Sequence, residues 1–543
     1  MIRTLNNYMD YLKSPMNGLP RGIFRPRKKL MHKVYSEDLY KKYVYSGALE
    51  NVRKIQNKIA FDLQTNHRNA LHKQDNLSVL FTQKLVMHCL SPRLHQKLSI
   101  MTITGKKKGL AIPKNWLGYF DKQYKMSNFN SKIQFKFFVL IKIFKSFVKS
   151  FFYLIPNLNL IYNREFDLYR AQGSNIVLLN SNMININLFD IGDKKISCFT
   201  NWYKDYFQQE NTVFLHSVKS LKKSNSKHLF YFKKFPIKFI NYPKFLRQAS
   251  LVYLLAFKEW IFGDYRKIYC IADLVEDLRC KNSSAIFLPD AVIFNEGNGI
   301  VRPLYSYSLE ARGCSVQFIP VSTSDTVNLP GEEPDFYPWQ LLSWSEYYVY
   351  DEYQFNFLKK AIGVDKLNIN KMYQIPFNLD MNNEINPKKN QYVALFDITP
   401  KLFHYGSASI IDIGSIFYDE WEKFLSNCLT TAKELGLTIL YKPKRSINSK
   451  LHGEFVINVL KNLSANEHFN ILNPNLSPHR IIGSSIGVVS TPVTTPAFIA
   501  QQLNKPSAFY SESNLLSIND PVFRSIPVLQ NIRELKDWFS KLV

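Results

Sequence analysis

Residues 469–513 read FNILNPNLSPHRIIGSSIGVVSTPVTTPAFIAQQLNKPSAFYSES. Phe469–Leu472 and Ile486–Ser490 are short apolar runs of the kind buried in parallel sheets, and His479–Ser484 between them suits a helix. Ser490-Thr491-Pro492-Val493-Thr494-Thr495 follows the second run, then Pro496-Ala497-Phe498-Ile499-Ala500, and Pro506–Tyr510 is a third strand. The order is strand, hydroxyl-rich turn, helix, strand. Pro496 suits a first helical position, where its missing N–H costs nothing. Hydroxyls and free amides would then converge where the helix dipole favours an anion. In an open α/β sheet that place is the carboxyl edge of the strands, where ligands bind. The alternative is that Thr494 or Thr495 only caps a helix.

The stretch Val489 to Tyr510, VSTPVTTPAFIAQQLNKPSAFY, resembles the signature of the PFTS-motif polysaccharide biosynthesis proteins. In that family a Pro-Phe-Thr-Ser core precedes a small-residue helix and a Lys-Pro-led strand. Here the core is Pro492-Val493-Thr494-Thr495, with Val493 in place of Phe and Thr495 in place of Ser. Both hydroxyls survive.

Outward from this stretch the same alternation continues. Tyr392–Asp397 reads as a strand, Ile416–Leu435 as a helix stopped by Gly436, Leu437–Tyr441 as a strand and Leu451–Leu463 as a helix. On the other side of a polar stretch, 366–390, lies a second series. It has strands at Ile176–Leu179, Ile196–Phe199, Ile268–Ala272, Ala291–Phe294, Ser315–Val321 and Tyr347–Tyr350, with helices at Asn201–Gln209, Pro243–Phe262, Val301–Arg312 and Glu352–Ile362. Alternation at this spacing means βαβ units and a mostly parallel sheet. The expected fold class is therefore α/β and GT-B-like. Two doubly wound Rossmann-like domains, 171–370 and 391–543, face a cleft across a linker at 371–390, with a basic extension at 1–170. The tail, IPVLQNIRELKDWFSKLV, resembles the closing helix of many glycosyltransferases.

Two further positions carry chemistry. Lys442-Pro443-Lys444-Arg445 stands at the end of a strand, where Arg offers a rigid fork to phosphate and Lys a point charge. It resembles the Lys-Pro-His-Pro of GT-B capsule and sialic-acid transferases, with Lys444 where the His would be. A permanent cation can stabilise a phosphate but cannot readily deliver a proton at neutral pH. The bland alternative is a solvated basic turn. Glu296 follows the Ala291–Phe294 strand and is followed by Gly297 and Gly299, which let a ligand approach closely. The turn resembles the acidic-Gly motif from which related transferases draw the base that deprotonates the acceptor. A solvated turn glutamate is the alternative, and Asp290 is a second candidate base. Ser484-Ser485 suits a helix end. His404, His452 and His479 lack metal-ligand spacing, and no metal or cofactor is expected.

At 543 residues the chain exceeds one core. Its net charge is +27, and residues 1–170 hold 31 Lys and Arg against 9 Asp and Glu. Such asymmetry implies an anionic partner. No zinc-finger spacing, RNP-like sequence or helix-turn-helix signal favours nucleic acid. KIQFKFFVLIKIFKSFVKSFFYLIPNLNLIY, 132–162, offers a better one. Lysines at 132, 136, 142, 145 and 149 interrupt it, so it falls short of the ~20 apolar residues that span a bilayer. Lys142, Lys145 and Lys149 gather on one side of a helix otherwise filled by Phe, Ile, Leu and Val. That is the pattern of a helix lying in the interface of an anionic membrane; the alternative is a buried domain helix with snorkelling lysines. The six cysteines form no CxxC pair and the N-terminus lacks a signal-peptide core, so the expected compartment is the cytoplasm, at the inner face of its membrane.

The resemblance implies transfer of a sugar from a nucleotide-activated donor to a growing surface glycan, of capsule or O-antigen type, on a glycan or lipid-linked acceptor. Lys442, Lys444, Arg445, Ser490, Thr491, Thr494 and Thr495 would hold the donor phosphate, and Glu296 would activate the acceptor. Two alternatives stand beside it: transfer of a polyol phosphate in teichoic-acid-like polymers, and a non-catalytic membrane-associated scaffold.

Overall fold

The chain's strands read as continuous apolar runs because the sheets they form are covered on both faces. In the computed structural model, β1 (Asn175–Asn180), β2 (Thr212–His216), β3 (Leu229–Tyr231), β4 (Ala291–Phe294), β5 (Ser315–Phe318), β6 (Glu346–Val349) and β7 (Asn368–Lys371) form one sheet. Its order is β3-β2-β1-β4-β5-β6-β7. β8 (Tyr392–Asp397), β9 (Thr438–Lys442), β10 (Phe469–Ile471), β11 (Gly487–Thr491), β12 (Ser507–Tyr510) and β13 (Val528–Leu529) form a second, ordered β10-β9-β8-β11-β12-β13. Every described pairing is parallel. Each sheet thus reverses strand order once, at β1/β4 and at β8/β11, as a Rossmann-type fold does. The expected pair of doubly wound domains is what the chain forms.

The structure describes residues 55, 58–59, 63–64, 67–71, 73–89, 110–113, 116–124, 128–155, 169–180, 198–216, 229–231, 235–295, 300–320, 339–363, 368–373, 391–400, 418–474, 476–491, 493–512 and 518–543. In the first domain the principal helices are α1 (Asn76–Cys89), α2 (Asn128–Leu154), α3 (Tyr242–Ile261), α4 (Ile271–Lys281), α5 (Leu304–Glu310) and α6 (Glu352–Ile362). In the second they are α7 (Tyr418–Glu434), α8 (Ser449–Ser464), α9 (Pro478–Gly483), α10 (Thr495–Gln502) and α11 (Ile532–Ser540).

Several expectations are corrected. Ile268–Ala272 is helical, split between a short turn at Arg266–Tyr269 and α4. All five residues are buried, the first four in a cluster with Val139 and Ile143 of α2 and Ala256 of α3, and a short run that is apolar on every side has no period to separate strand from helix. Cys198 and Phe199 open a helix, Cys198–Phe207, and the strand of that unit is β2. The start of the supposed linker, Asn368–Lys371, is the edge strand β7; an edge strand is half exposed and carries no apolar run. Residues 374–390 lie outside the described residues.

The described parts of the basic N-terminal region pack into the first domain. Ile59, Val86, Leu110, Ile112 and Trp116 share a core with Ile176, Val292 and Val316 of the sheet. Buried Gln83 on α1 fixes this docking: its amide donates to the Leu341 carbonyl at 2.8 Å and to Ser343 Oγ at 2.9 Å, and its oxygen accepts from Arg302 N at 3.0 Å.

Another core belongs to both domains. Val177, Ile293, Tyr348 and Met372 of the first lie in one cluster with Phe396, Val488, Val493 and Phe498 of the second. Arg524 reinforces the contact. Its Nε donates to Asp351 Oδ2 at 2.5 Å, and its guanidinium lies 4.3 Å from the ring centroids of both Tyr353 on α6 and Phe498 on α10.

Candidate functional site

Register places the site. In the second sheet Phe396 of β8 lies opposite Lys442 of β9 and opposite Ser490 of β11, and Asp397 lies opposite Thr491. The carboxyl ends of three adjacent strands therefore set Asp397, Lys442, Ser490 and Thr491 in neighbouring rows, at the point where strand order reverses.

α10 starts from this edge. Thr494 occupies its N-cap with extended backbone (φ −131°, ψ 148°), and Pro496 sits in the first turn. The capping alternative fails at the side chain, because the Thr494 hydroxyl makes no cap hydrogen bond. Thr494 is 8% exposed and Ser490 fully buried, and neither Thr494 Oγ1 nor Ser490 Oγ has a hydrogen-bond partner among the described residues. A buried hydroxyl without a partner costs about 1–3 kcal/mol, so two within five residues, at a strand end and a helix N-cap, need a reason beyond packing. A bound anion supplies one, since the first-turn amides and the helix dipole favour negative charge there. Thr491 and Thr495 are partly exposed on either side. Val493 is buried in the shared interdomain core, so the residue that departs from Phe is a packing anchor.

Lys442 ends β9 with 8% exposure, followed by buried Pro443 and exposed Lys444 and Arg445. The basic run is therefore half core and half surface, unlike a wholly solvated turn. Burial lowers the Lys442 ammonium to about 8; Asp397 opposes that shift and Lys444 adds to it. Asp397 was missed in the sequence. It is buried and accepts hydrogen bonds from Tyr441 OH at 2.8 Å, Thr399 Oγ1 at 3.0 Å and the Trp421 indole of α7. Burial raises its carboxyl, while the bonds from Trp421, Tyr441 and Thr399 and the charge of Lys442 work the other way. The available signal was a lone carboxylate closing the otherwise apolar run Tyr392–Asp397.

The remaining candidates separate cleanly. Ser484 and Ser485 end α9, their hydroxyls donating to the Arg480 carbonyl at 3.1 Å and the Ile481 carbonyl at 2.7 Å. Asp290 precedes β4 at the amino edge of the first sheet, where it binds Arg170 Nη1 at 2.7 and 2.9 Å and accepts from Ile176 N at 2.7 Å. It is a structural residue at the wrong end of the strand to serve as a base. Glu296, Gly297 and Gly299 lie outside the described residues. The residue before them, Asn295, is buried and donates to the Ile319 carbonyl at 3.0 Å, at the carboxyl end of β4. His452 Nδ1 is hydrogen-bonding distance, 2.7 Å, from the Pro400 carbonyl. His404 is outside the described residues, among which no three metal-ligating side chains converge.

Two Rossmann-type domains define a GT-B-like fold, with buried hydroxyls and a cation at the switch point of the second. The chain belongs to the polysaccharide biosynthesis PFTS motif proteins, whose family model matches residues 255–539, just over half of it. No curated protein matches the chain. Among solved structures it is similar to the UDP-GlcNAc 2-epimerase from Neisseria meningitidis bound to UDP-GlcNAc: 11% identity, 68% of this chain and 91% of the other covered, TM-score 0.36. A glycosyltransferase from Rickettsia africae is 12% identical over 68% of this chain and 88% of its own, TM-score 0.34. The wall teichoic acid polymerase TagF is 12% identical over 73% and 90%, TM-score 0.36. Likeness at this level is no guide to activity.

Proposed function

We propose that the chain is a glycosyltransferase of surface polysaccharide biosynthesis, of capsule or O-antigen type, that takes its sugar from a nucleotide-activated donor. The observation that carries this reading is the pair of buried hydroxyls, Ser490 at the end of β11 and Thr494 at the N-cap of α10, with no hydrogen-bond partner among the described residues, in the sheet whose row at Ser490 and Phe396 also holds Lys442. Ser490, Thr491, Thr494, Thr495 and the first-turn amides hold the donor phosphate; Lys442, Lys444 and Arg445 neutralise it.

In the reaction the acceptor oxygen attacks the anomeric carbon. The bond from that carbon to the donor phosphate oxygen breaks, and its electron pair leaves on the nucleotide. The cations stabilise that developing charge. Glu296 receives the acceptor hydroxyl's proton; its support is its place in sequence directly after the switch-point strand β4. The three cations do the work that a divalent ion does elsewhere, so transfer is metal-independent in this reading. The acceptor is a glycan or lipid-linked glycan, and the enzyme works as a peripheral protein at the inner face of the cytoplasmic membrane. No nucleic acid takes part.

Calorimetry with nucleotides tests the donor site. Lys444→Ala and Thr494→Ala each weaken binding about tenfold or more, the value of a hydrogen bond to a charged group, with circular dichroism unchanged. Equal affinity in both well-folded variants overturns the assignment.

A further inference from the structure

The first domain carries an apolar surface made by two helices. α2 and α3 both pack on α4 and meet each other through side chains. Phe147 meets Tyr253 and Phe257 edge-on at 5.6 and 5.8 Å, Phe151 stacks on Tyr253 at 6.0 Å, and Ser150 is hydrogen-bonded to the Tyr253 hydroxyl. Their outer sides are exposed, and no described residue covers them. α2 exposes Ile133, Phe137, Leu140 and Phe144, spaced by three or four residues and hence one stripe. α3 exposes Leu251, Leu254 (66%) and Ile261 (79%), and the turn leading into it exposes Phe239 (91%) and Ile240. A surface of this size and chemistry marks an interaction site.

Charge selects the occupant. Exposed Lys132 and Lys136 flank the stripe of α2, and exposed Lys244, Arg247 and Lys258 stand among the apolar side chains of α3. α2 holds no acidic residue, and the one carboxylate of α3, Glu259, is paired with Lys267. A second copy docked face to face would set these cations against their own images. An anionic bilayer meets both features at once, apolar side chains below the headgroups and cations at their level. No described helix is long and apolar enough to cross a membrane.

We propose that α3, with the Phe239–Ile240 turn and the outer stripe of α2, is a two-helix face that lies on an anionic lipid surface. This deepens the peripheral-membrane part of the function proposed above and rests on it. It also reassigns two lysines of α2. Lys142 lies over Phe138 and Lys149 over Tyr153, and Lys149 acts on the half-buried carboxyl of Glu276. These side chains serve the fold, so the lipid-facing work falls to the apolar stripe and to the exposed cations.

Flotation of the full chain with phosphatidylglycerol–phosphatidylcholine vesicles, and with phosphatidylcholine alone, tests this. The wild type floats with the anionic vesicles. Leu254→Ser with Ile261→Ser lowers partition at least about tenfold, because two apolar anchors are lost, and Lys244→Gln with Arg247→Gln lowers its salt sensitivity. Nucleotide affinity, measured on the same preparations, stays unchanged in both. Phe239→Ser, in the turn outside the helices, repeats the loss if the double serine variant folds poorly. A wild type that stays in the unbound fraction overturns the proposal, as do variants that float equally well. A change from dimer to monomer in the serine variant, without vesicle binding by the wild type, also overturns it and makes the face a contact between copies. Loss of nucleotide binding in the Lys444 and Thr494 variants bears on the donor site alone.

Discussion

At Lys442 the cost of burial and the use of charge meet. Its ammonium is held at about 8 against a usual value of 10.5, chiefly by desolvation. Below pH 8 it is protonated in both folded and unfolded chains. Between about 8 and 10.5 the unfolded chain binds the extra proton, so this residue makes stability rise with pH across that window. Phosphate binding has the opposite dependence, since it needs the cation. Calorimetry across pH 7–10 should therefore show nucleotide affinity falling through about pH 8. Asp397→Asn removes the neighbour that favours the charged form and should move that fall to lower pH; an unmoved midpoint would detach Asp397 from the site. The acceptor side has its own test. Glu296→Gln should keep donor affinity and lower turnover by about 10²–10⁴-fold, read first as donor hydrolysis. Near-normal transfer would place the base elsewhere, and Asp290, bound to Arg170 at the far edge of the sheet, is not the substitute.

Elements in the second domain follow their local signals closely. α11 is fixed by a reciprocal cap: Asn531 Oδ1 accepts from Glu534 N at 3.0 Å, and Glu534 Oε2 accepts from Gln530 N at 2.7 Å. The helix buries Leu535 and Phe539 in the core behind β8 and β11. Asn531→Ala should cost about 1 kcal/mol, or about 2–4 °C in melting temperature for a domain of this size. Scanning calorimetry that shows no loss would mean that packing alone holds α11. α10 is the contrasting element: its N-cap residue makes no cap bond, which leaves the hydroxyl for a ligand. A sequence shows that a threonine precedes a helix; only the fold shows which way its hydroxyl is used.

The two domains are held at one boundary by a buried apolar cluster and by Arg524, which joins Asp351 and Phe498. Arg524 adopts φ +51°, a left-handed conformation that the surrounding contacts sustain. Asp351 also caps α6, accepting from Gln354 N at 2.9 Å. Arg524→Ala should therefore loosen the domains while leaving the Asp351 cap in place. The expected destabilisation lies between the roughly 1 kcal/mol of an exposed ion pair and the 3–5 kcal/mol of a buried one. Hydrogen exchange should rise along α6 and α10 together. Protection lost in neither helix would show that the apolar cluster alone fixes the domains. Because α10 also bounds the proposed phosphate site, transfer should fall more than donor affinity does.

The sequence by itself determined the alternation of strands and helices, the second domain almost residue by residue, and the place of the hydroxyl turn. These are local matters of apolar runs, glycine stops and a proline at a helix start, such as Gly436 at φ +65° and Pro496 in the first turn of α10. The tertiary structure decided what has no local period. Ile268–Ala272 became helix because it is enclosed on all sides, and Asn368–Lys371 became a strand because an open sheet edge accepts a polar one. Asp397 entered the site, and Asp290 left it, through register alone: one stands at the carboxyl end of its strand, the other before the amino end. Whether a charge stabilises the fold or meets a ligand depends on which neighbours remove it from water, and those neighbours come from far along the chain.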